Sequence, residues 1–256
     1  MLILITSASN TLIKHIKKLQ TKKSYRYECG EFVIEGLRQV FDAEKSVKLV
    51  LVSEDFAAAL PSFPCPVETV SHGLICSLSE TKNPQGILAV AQMNTTTEKD
   101  ILKENGLYVF CDGVADPGNM GTIIRTADSA GCDGVILGPD CVDLYNPKVV
   151  RSTMSSLFNV PICISDDSIK TLEFFKSNGV KITATTPHNE KIIYDEDFKQ
   201  SVVIILGNEA NGVSDELLTM ADSCVKIPMF GHSESLNVAT AGAVLIYEAV
   251  RQRICE

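Results

Sequence analysis

Hydrophobic and polar residues alternate along the first 92 residues in a pattern that predicts a small α/β module. Apolar residues recur at helical spacing from Leu12 to Leu19, with lysines on the opposite face of that helix. Short apolar runs then predict strands, and the stretches between them predict helices. The predicted strands are 31–35, 46–52, 67–70 and 86–92, and the predicted helices are 37–44, 54–59 and 73–79.

Residues 107–256 continue the alternation with longer apolar runs. Continuous apolar character, without a polar residue at every second position, is typical of parallel strands that helices cover on both faces. The predicted strands are 107–111, 134–138, 160–164, 180–186 and 202–207, and the predicted helices are 121–130, 147–156, 168–177, 214–221 and 235–254. We expect the last helix to bury one stripe made of Leu236, Ala239, Ala243, Tyr247, Val250 and Ile254.

A polar segment separates these two parts, so we predict a domain over 1–92, a linker over 93–106 and a second domain over 107–256. No run approaches the roughly 18 apolar residues of a membrane-spanning helix, and the first residues lack the features of a signal peptide. The nine cysteines include no C-x-x-C pair. We therefore expect a soluble cytoplasmic protein with no membrane segment and no metal site.

Charge is distributed unevenly along the chain. The net charge of −9 argues against a protein that coats nucleic acid through charge alone. Residues 1–40, however, hold seven basic residues against three acidic ones, while the rest of the chain holds 16 basic against 29 acidic residues. This asymmetry predicts a basic guide surface attached to an acidic body. A solvated helix face is the alternative explanation.

The segment 112–131, DGVADPGNMGTIIRTADSAG, is the first candidate for chemistry. Its Gly/Pro/Asn turn leads from a strand into a helix whose first N–H groups favour an anion. Arg125, about one turn inside this helix, is placed to reach a phosphate or ribose. Alternatively, Asn119 only caps the helix and Arg125 pairs with a surface acid. No G-x-G-x-x-G or P-loop motif is present, so a dehydrogenase or P-loop enzyme lacks its phosphate loop.

Two later segments also place small polar residues at strand ends. LGNEANGVSDELL (206–218) carries Glu209 in a Gly/Asn turn, at the kind of strand end where open α/β sheets bind small molecules. IPMFGHSESLNVATAGAVLIYEAV (227–250) places Ser235 and Asn237 where a loop enters a helix rich in small residues. Each segment alone is also compatible with an ordinary turn or a tightly packed core helix.

Together and in this order, the segments resemble the SpoU (TrmH) family of SPOUT methyltransferases, which move a methyl group from S-adenosylmethionine to a ribose 2′-hydroxyl of RNA. N-M-G-T-I-I-R-T-A-D-S-A-G, L-G-N-E-A-N-G-V-S and I-P-M-x-G-x-x-x-S-L-N-V are similar to three motifs of that family, and residues 145–158 to its connecting segment. Residues 1–92 resemble, more loosely, the RNA-binding module at the N-terminus of many members.

The resemblance implies an α/β fold: a C-terminal parallel-sheet SPOUT domain with a trefoil knot, preceded by a small ribosomal-protein-like RNA-binding domain. It implies S-adenosylmethionine as cofactor, a homodimer, and RNA as partner, with ribosomal RNA the first choice and transfer RNA the second. A non-catalytic RNA-binding or ribosome-assembly factor on the same fold is the alternative function.

The same resemblance implies roles for individual residues. The expected catalytic residues are Asn119, Arg125, Glu209, Ser235 and Asn237, and the expected cofactor-binding residues are Thr185, Gly207, Asn208, Gly212, Ile227, Met229 and Leu236. The expected RNA-binding residues are Lys14, Lys17, Lys18, Lys22, Lys23, Arg26, Lys148 and Arg151. Methyl transfer depends mainly on orientation, and a guanidinium titrates above about 12. We therefore expect Arg125 to hold a phosphate rather than to accept the proton.

Overall fold

The computed structural model describes residues 4–94 and 96–254, and the chain divides into two compact units. The N-terminal unit comprises Met1–Asn94 and Asp143–Phe158, and the C-terminal unit comprises Thr95–Val142 and Asn159–Glu256. The domain ranges given by the sequence stay a prediction. Residues 143–158, which that prediction places in the C-terminal domain, pack with the N-terminal residues.

Helices and strands alternate in the N-terminal unit. Its elements are α1 (Thr11–Thr21), α2 (Lys23–Cys29), β1 (Glu31–Glu35), α3 (Leu37–Asp42), β2 (Val47–Ser53), β3 (Val67–Val70), α4 (His72–Leu78), β4 (Ile87–Gln92) and α7 (Pro147–Ser152). The strands form one sheet in the order β1-β4-β2-β3, in which only β2 and β3 pair in parallel. Helix α1 buries Ile13, Ile16 and Leu19 and leaves its lysines exposed, which confirms the first predicted stripe.

The helix predicted over 54–59 is wrong, because this stretch turns away from β2 and continues without regular structure. Ser53 donates its hydroxyl to the carboxylate of Asp55, which stabilises a turn instead of a helix. The residues that follow carry prolines at 61, 64 and 66. Proline restricts the residue before it to extended conformations, so no helix can extend into this region.

Buried polar contacts anchor the segment 143–158 within the N-terminal unit. Arg26 pairs with Asp143, and both side chains are less than a tenth exposed. The side-chain amide of Gln39 donates to the carbonyl of Val150 at 3.0 Å. Removing one partner of a buried ion pair leaves the other charge uncompensated, so this segment depends on the N-terminal helices for its stability.

The C-terminal unit is built on a six-stranded parallel sheet, which confirms the predicted α/β fold with a parallel sheet, while the trefoil knot stays a prediction. Its elements are α5 (Glu98–Ile101), β5 (Leu107–Cys111), α6 (Pro117–Ser129), β6 (Gly134–Leu137), β7 (Ile162–Ile164), α8 (Ser168–Ser177), β8 (Lys181–Thr185), β9 (Val202–Leu206), α9 (Asp215–Met220), β10 (Ser223–Val225) and α10 (Val238–Ile254). The strand order is β10-β8-β9-β5-β6-β7, with all neighbours parallel. Within residues 4–94 and 96–254, no helix has the length and apolar character needed to cross a bilayer.

The buried stripe predicted for α10 is wrong in most of its positions. Tyr247 is 49% exposed and Ile254 is 74% exposed. The helix instead buries the face that contains Gly242, where an added Cβ atom would lie 2.7 Å from Leu206 Cδ1. The close approach of α10 to β9 therefore requires glycine at position 242. The face made of Ala239, Gly242, Leu245, Ile246 and Ala249 is covered within the chain.

Candidate active site

The candidate site lies at the carboxyl ends of the neighbouring strands β5 and β9. Strands β6 and β7 lie on one side of β5, and β9, β8 and β10 lie on the other. The chain thus reverses its direction of winding between β5 and β9, which is where open α/β sheets form a ligand crevice. The loops 112–116 and 207–214 leave these two strand ends, and the loop 226–237 leaves β10 two strands away.

Glu209 is the centre of the hydrogen bonds that join the first two loops. Its carboxylate accepts the backbone N–H groups of Ala115 at 3.1 Å and Asp116 at 3.0 Å. It also accepts the side-chain amide of Asn119 at 2.9 Å. A carboxylate at the start of a helix complements the positive end of the helix dipole, so Glu209 fixes the β9 loop against the beginning of α6.

Asn119 extends this connection to the third loop. Its side-chain oxygen accepts the amide N–H of Asn237 at 2.9 Å. Asn237 in turn accepts the backbone N–H groups of Ala239 at 3.0 Å and Thr240 at 3.3 Å with its own side-chain oxygen, as an N-cap residue does. One residue from each of the three motifs therefore belongs to a single chain of hydrogen bonds, Glu209–Asn119–Asn237.

Arg125 and Ser235, the other two predicted catalytic residues, do not bond to these three side chains. Arg125 lies six residues after Asn119 on α6, and Ser235 lies in the loop before α10; both are exposed. Among the residues that the structure describes, no carboxylate pairs with Arg125. Arg125 therefore does not form the surface ion pair of the alternative explanation. Asn119 is not the cap of α6 either, because Asp116 is the cap residue.

The β9 loop is closed by its own backbone and by Asn208. Asn208 and Gly212 exchange backbone hydrogen bonds of 2.9 Å in both directions. The side chain of Asn208 donates to the Gly113 carbonyl at 2.7 Å and accepts the N–H of Ala210 at 2.9 Å. A Cβ atom on Gly207 would lie 2.1 Å from the Gly212 carbonyl carbon, so only glycine fits at that position.

The other predicted cofactor residues lie around the ends of β8 and β10. Thr185 ends β8 and donates its hydroxyl to the Ile205 carbonyl at 2.9 Å. Ile227, Met229 and Leu236 lie in the loop after β10, and each is half-buried. Strands β8 and β10 are neighbours and parallel, so these residues lie on the same edge of the sheet as Gly207. The arrangement offers apolar side chains beside a loop of exposed backbone.

Two acids of the site were not predicted from the sequence. Asp112 accepts the backbone N–H of Ser214 at 2.8 Å and so ties the start of α9 to the end of β5. Asp116 caps α6 by accepting the N–H of Asn119 at 2.8 Å. The signal for Asp116 is the Asp-Pro pair, since proline favours the first position of a helix and aspartate the cap before it. No local signal identifies Asp112, whose partner is 102 residues away.

Hydrogen bonds keep Glu209 ionised. Burial raises the pKa of its carboxyl, but the bonds from Asn119, Ala115 and Asp116 outweigh this effect and lower the pKa below its usual value. A carboxyl whose pKa is lowered on folding stabilises the fold above its unfolded value of about 4.3. That contribution is lost only as the pH falls through the lower folded value, so Glu209 remains a carboxylate throughout the neutral range.

Replacing Glu209 by glutamine is expected to lower kcat about 10-fold or more, and by the same factor at pH 6 and pH 8. The glutamine side chain would place its own N–H group opposite a backbone N–H that now donates to Glu209, so the two loops would separate. Each hydrogen bond to a charged group of this kind is worth about 1.5–3 kcal/mol. Initial rates of the catalysed reaction from pH 5 to pH 8 test this, with the exposed Glu216→Gln as control. A wild-type rate that rises between pH 5 and 7, and no longer does so in Glu209→Gln, would mean that Glu209 titrates as a base.

The predicted basic surface is present in part. The exposed lysines are Lys14, Lys17 and Lys18 on α1, Lys22 between the two helices, Lys23 on α2 and Lys148 on α7. The RNA-binding role predicted for Arg26 is wrong. Arg26 is buried, pairs with Asp143 and donates to the Leu19 carbonyl at 2.7 Å, so it cannot reach an RNA phosphate. Arg151 is partly exposed and forms an ion pair with Glu80 at 3.3 Å.

Comparison with known proteins adds two family matches. A model of the SpoU rRNA Methylase family matches residues 106–247. A model of the MRM3-like substrate binding domain matches residues 10–89. In the described residues, no group of three histidine, cysteine or carboxylate side chains is arranged to hold a metal.

Similar proteins match over nearly the whole chain. The 23S rRNA (guanosine(2553)-2′-O)-methyltransferase RlmP of Bacillus subtilis is 36% identical, over 95% of this chain and 97% of its own. The crystal structure of the SpoU methyltransferase AviRb from Streptomyces viridochromogenes in complex with AdoMet has a TM-score of 0.89 at 29% identity, covering 96% of this chain and 100% of its own. The AdoMet-bound rRNA methyltransferase from Sinorhizobium meliloti has a TM-score of 0.88 at 31% identity, covering 98% of both chains.

Proposed function

The chain belongs to the SpoU rRNA methylase family, and from this premise we propose that it transfers a methyl group from S-adenosylmethionine to a ribose 2′-hydroxyl of ribosomal RNA. The observation that carries the proposal is the chain of hydrogen bonds Glu209–Asn119–Asn237, which draws one residue from each of three separate motifs to one crevice. The relatives named as rRNA methyltransferases favour ribosomal over transfer RNA.

The β9 and β10 loops fit the proposed cofactor. Gly207 is buried and leaves no room for a side chain, because the backbone of Gly212 and Val213 packs directly against it and closes the loop. Ile227, Met229 and Leu236 supply half-buried apolar contacts suited to a flat adenine ring. The side chain of Asn208 already bonds to Gly113 and Ala210. We therefore propose that Asn208 stabilises the shape of the site and does not contact the cofactor with its amide.

When bound, S-adenosylmethionine would supply a sulfonium methyl group: the ribose oxygen would attack the methyl carbon in line from about 3 Å, the carbon–sulfur bond would break to release the thioether, and the hydroxyl proton would pass to water. The protein must therefore orient the ribose. Glu209 already accepts three donors, so we propose that it is a positioning residue that holds Asn119 in place. Arg125 and Ser235, which are exposed, remain available to the RNA, with Arg125 holding a phosphate.

We propose that the lysines of α1 and α2 capture the RNA through its phosphates. They are exposed, and two of them lie over aromatic rings: Lys18 Nζ is 5.2 Å from the centre of Tyr25, and Lys23 Nζ is 5.7 Å from that of Tyr27. Tyr25 is half-buried and Tyr27 is 43% exposed, and aromatic rings beside cations are typical of surfaces that bind single-stranded nucleic acid. The matched substrate binding domain includes these residues.

Changing Lys14 and Lys17 together to alanine is expected to weaken RNA binding about 10-fold near 0.1 M salt and to leave the Kd of S-adenosylmethionine unchanged. Each lost phosphate contact also reduces the slope of log K against log salt by about 0.7–0.9. Fluorescence anisotropy with a labelled 23S rRNA fragment over a salt series measures both quantities. The double variant of the exposed Lys45 and Lys199 to alanine is the control, and an equal loss in that control would refute a specific role for α1.

Deleting residues 1–92 is a poorer test of the same idea. Asp143 belongs to the N-terminal unit and is buried against Arg26. A deletion would leave this carboxylate without its partner, which is strongly destabilising. Loss of activity in the truncated chain would then report misfolding as well as loss of RNA capture.

A homodimer is part of the proposal. The exposed face of α10 presents Tyr247 and Ile254, the residues for which the sequence pattern predicts burial. A second copy of this helix would bury Tyr247 and Ile254, as the sequence pattern predicts. Large apolar side chains that are exposed in one row mark contact surfaces. Light scattering of the purified chain measures the oligomeric state, and we expect twice the 27.8 kDa mass of one chain.

Ribose methylation of rRNA tests the proposed function directly. The purified chain, S-adenosylmethionine and unmodified 23S rRNA are expected to yield one 2′-O-methylated nucleoside by mass spectrometry. Mapping of rRNA from cells with and without the gene should find the same position. Binding of RNA without any binding of S-adenosylmethionine in a calorimeter would instead favour the non-catalytic RNA-binding factor.

A further inference from the structure

Phe230 is the most exposed large apolar side chain in the part of the chain that the structure describes, at 96% of its accessible surface. It lies in the loop between β10 and α10, directly after the half-buried Met229. The next five residues, Gly231, His232, Ser233, Glu234 and Ser235, are exposed as well. A phenylalanine ring in water lacks the stabilisation that burial of its apolar surface provides. A binding partner that covers the ring would supply this stabilisation.

The C-terminal end of this loop is held at the candidate active site, and its N-terminal end follows β10. On the N-terminal side, Pro228 has a restricted backbone and Met229 is half-buried. On the C-terminal side, Asn237 caps α10 and donates to Asn119 at 2.9 Å. The ring of Phe230 therefore lies in solvent on a loop that ends at the Asn119–Asn237 hydrogen bond.

We propose that Phe230 stacks on a base of the RNA substrate, at or beside the nucleotide that is methylated. This inference rests on the proposed function. Proteins that read RNA at loops and bulges hold the unstacked bases on aromatic side chains. Stacking is tolerant of base identity and needs only one accessible ring face. Phe230 is thus a positioning residue, which holds the nucleotide so that its ribose faces Asn119 and Asn237.

A second copy of the chain is the alternative partner for Phe230, and the composition of the loop argues against it. A contact between copies needs a contiguous apolar area of several hundred Å². The residues that follow Phe230 are a glycine and four polar residues, which do not extend an apolar patch. One isolated ring is sufficient for one base, and the hydroxyl, imidazole, carboxylate and backbone groups that follow it along the loop can bond to the polar edges of a nucleotide.

Replacing Phe230 by alanine is expected to raise KM for 23S rRNA about 10- to 100-fold and to leave the Kd of S-adenosylmethionine unchanged. Phe230→Trp should restore KM to within about 3-fold of wild type, while Phe230→Leu, which is apolar but cannot stack, should not. Tyr194→Ala, which removes another exposed ring (56%) from the same unit, is the control.

Wild-type activity on the same RNA separates this inference from the proposed function. If the wild type does not methylate, the function is wrong, and anisotropy with the labelled 23S rRNA fragment still compares RNA affinity between wild type and Phe230→Ala. If the wild type methylates and Phe230→Ala has the same KM, the inference alone is wrong. It is also overturned if Phe230→Leu performs as well as Phe230→Trp, or if light scattering shows that Phe230→Ala dissociates an oligomer.

Discussion

Replacing Arg125 by alanine is expected to lower kcat for methyl transfer at least about 100-fold, with little change in the Kd of S-adenosylmethionine. Arg125 is exposed on α6 and pairs with no carboxylate among the described residues, so its guanidinium is available to an RNA phosphate. Positioning of reactants contributes several kcal/mol to a displacement reaction. Single-turnover rates with saturating RNA, together with calorimetry of cofactor binding, measure the two quantities.

The lysine variant separates positioning from proton transfer at Arg125. Arg125→Lys keeps the positive charge and loses the two-pronged contact with phosphate, so we expect an intermediate loss and an unchanged pH optimum. A near-normal rate with a shifted optimum would contradict positioning and favour proton transfer, because an ammonium titrates lower than a guanidinium. Ser129→Ala, an exposed change at the end of the same helix, is the control.

Replacing Gly207 by alanine is expected to abolish cofactor binding within the range of calorimetry, an increase of at least about 100-fold in Kd. The new methyl group would lie 2.1 Å from the Gly212 carbonyl carbon and 2.2 Å from the Val213 nitrogen. Both are backbone atoms, so the β9 loop must move. Overpacking of this kind typically costs about 1–3 kcal/mol, which lowers Tm by about 3–10 °C in a chain of this size.

Gly73→Ala is the matched control for this change. Gly73 lies in α4, and nothing lies within 4 Å of a Cβ built on it. Alanine favours a helix over glycine, so the control should unfold at an equal or slightly higher temperature and bind the cofactor normally. Normal cofactor binding by Gly207→Ala would show that the β9 loop does not form the cofactor site.

The amino-acid sequence predicts the strands well where apolar runs are continuous. The strands 31–35, 67–70 and 107–111 begin and end at the predicted residues. The last helix is less predictable because two of its faces are apolar. Periodicity selects the row containing Tyr247, whereas the fold buries the face containing Gly242, Leu245 and Ile246, because Gly242 lets the helix approach Leu206. Sequence alone does not rank two such faces.

The candidate site is predictable in its parts and not in its connections. Motif order places Asn119, Glu209 and Asn237 at loops after strands, but their meeting depends on β9 lying beside β5, which no local pattern specifies. Arg26 is a residue whose role the sequence predicts wrongly. Its neighbours are lysines on an exposed surface, yet a partner 117 residues away removes it from that surface. Long-range pairing of this kind is decided by tertiary structure.

The central claim is that the loops after β5, β9 and β10 form one site for the methyl donor and the ribose. A crystal structure of the chain with S-adenosylhomocysteine measures it most directly. We predict that the ligand contacts Gly207, Ile227, Met229 and Leu236, with its sulfur facing Asn119 and Asn237. Binding at any other edge of the sheet, or the absence of binding at millimolar ligand, would contradict the claim.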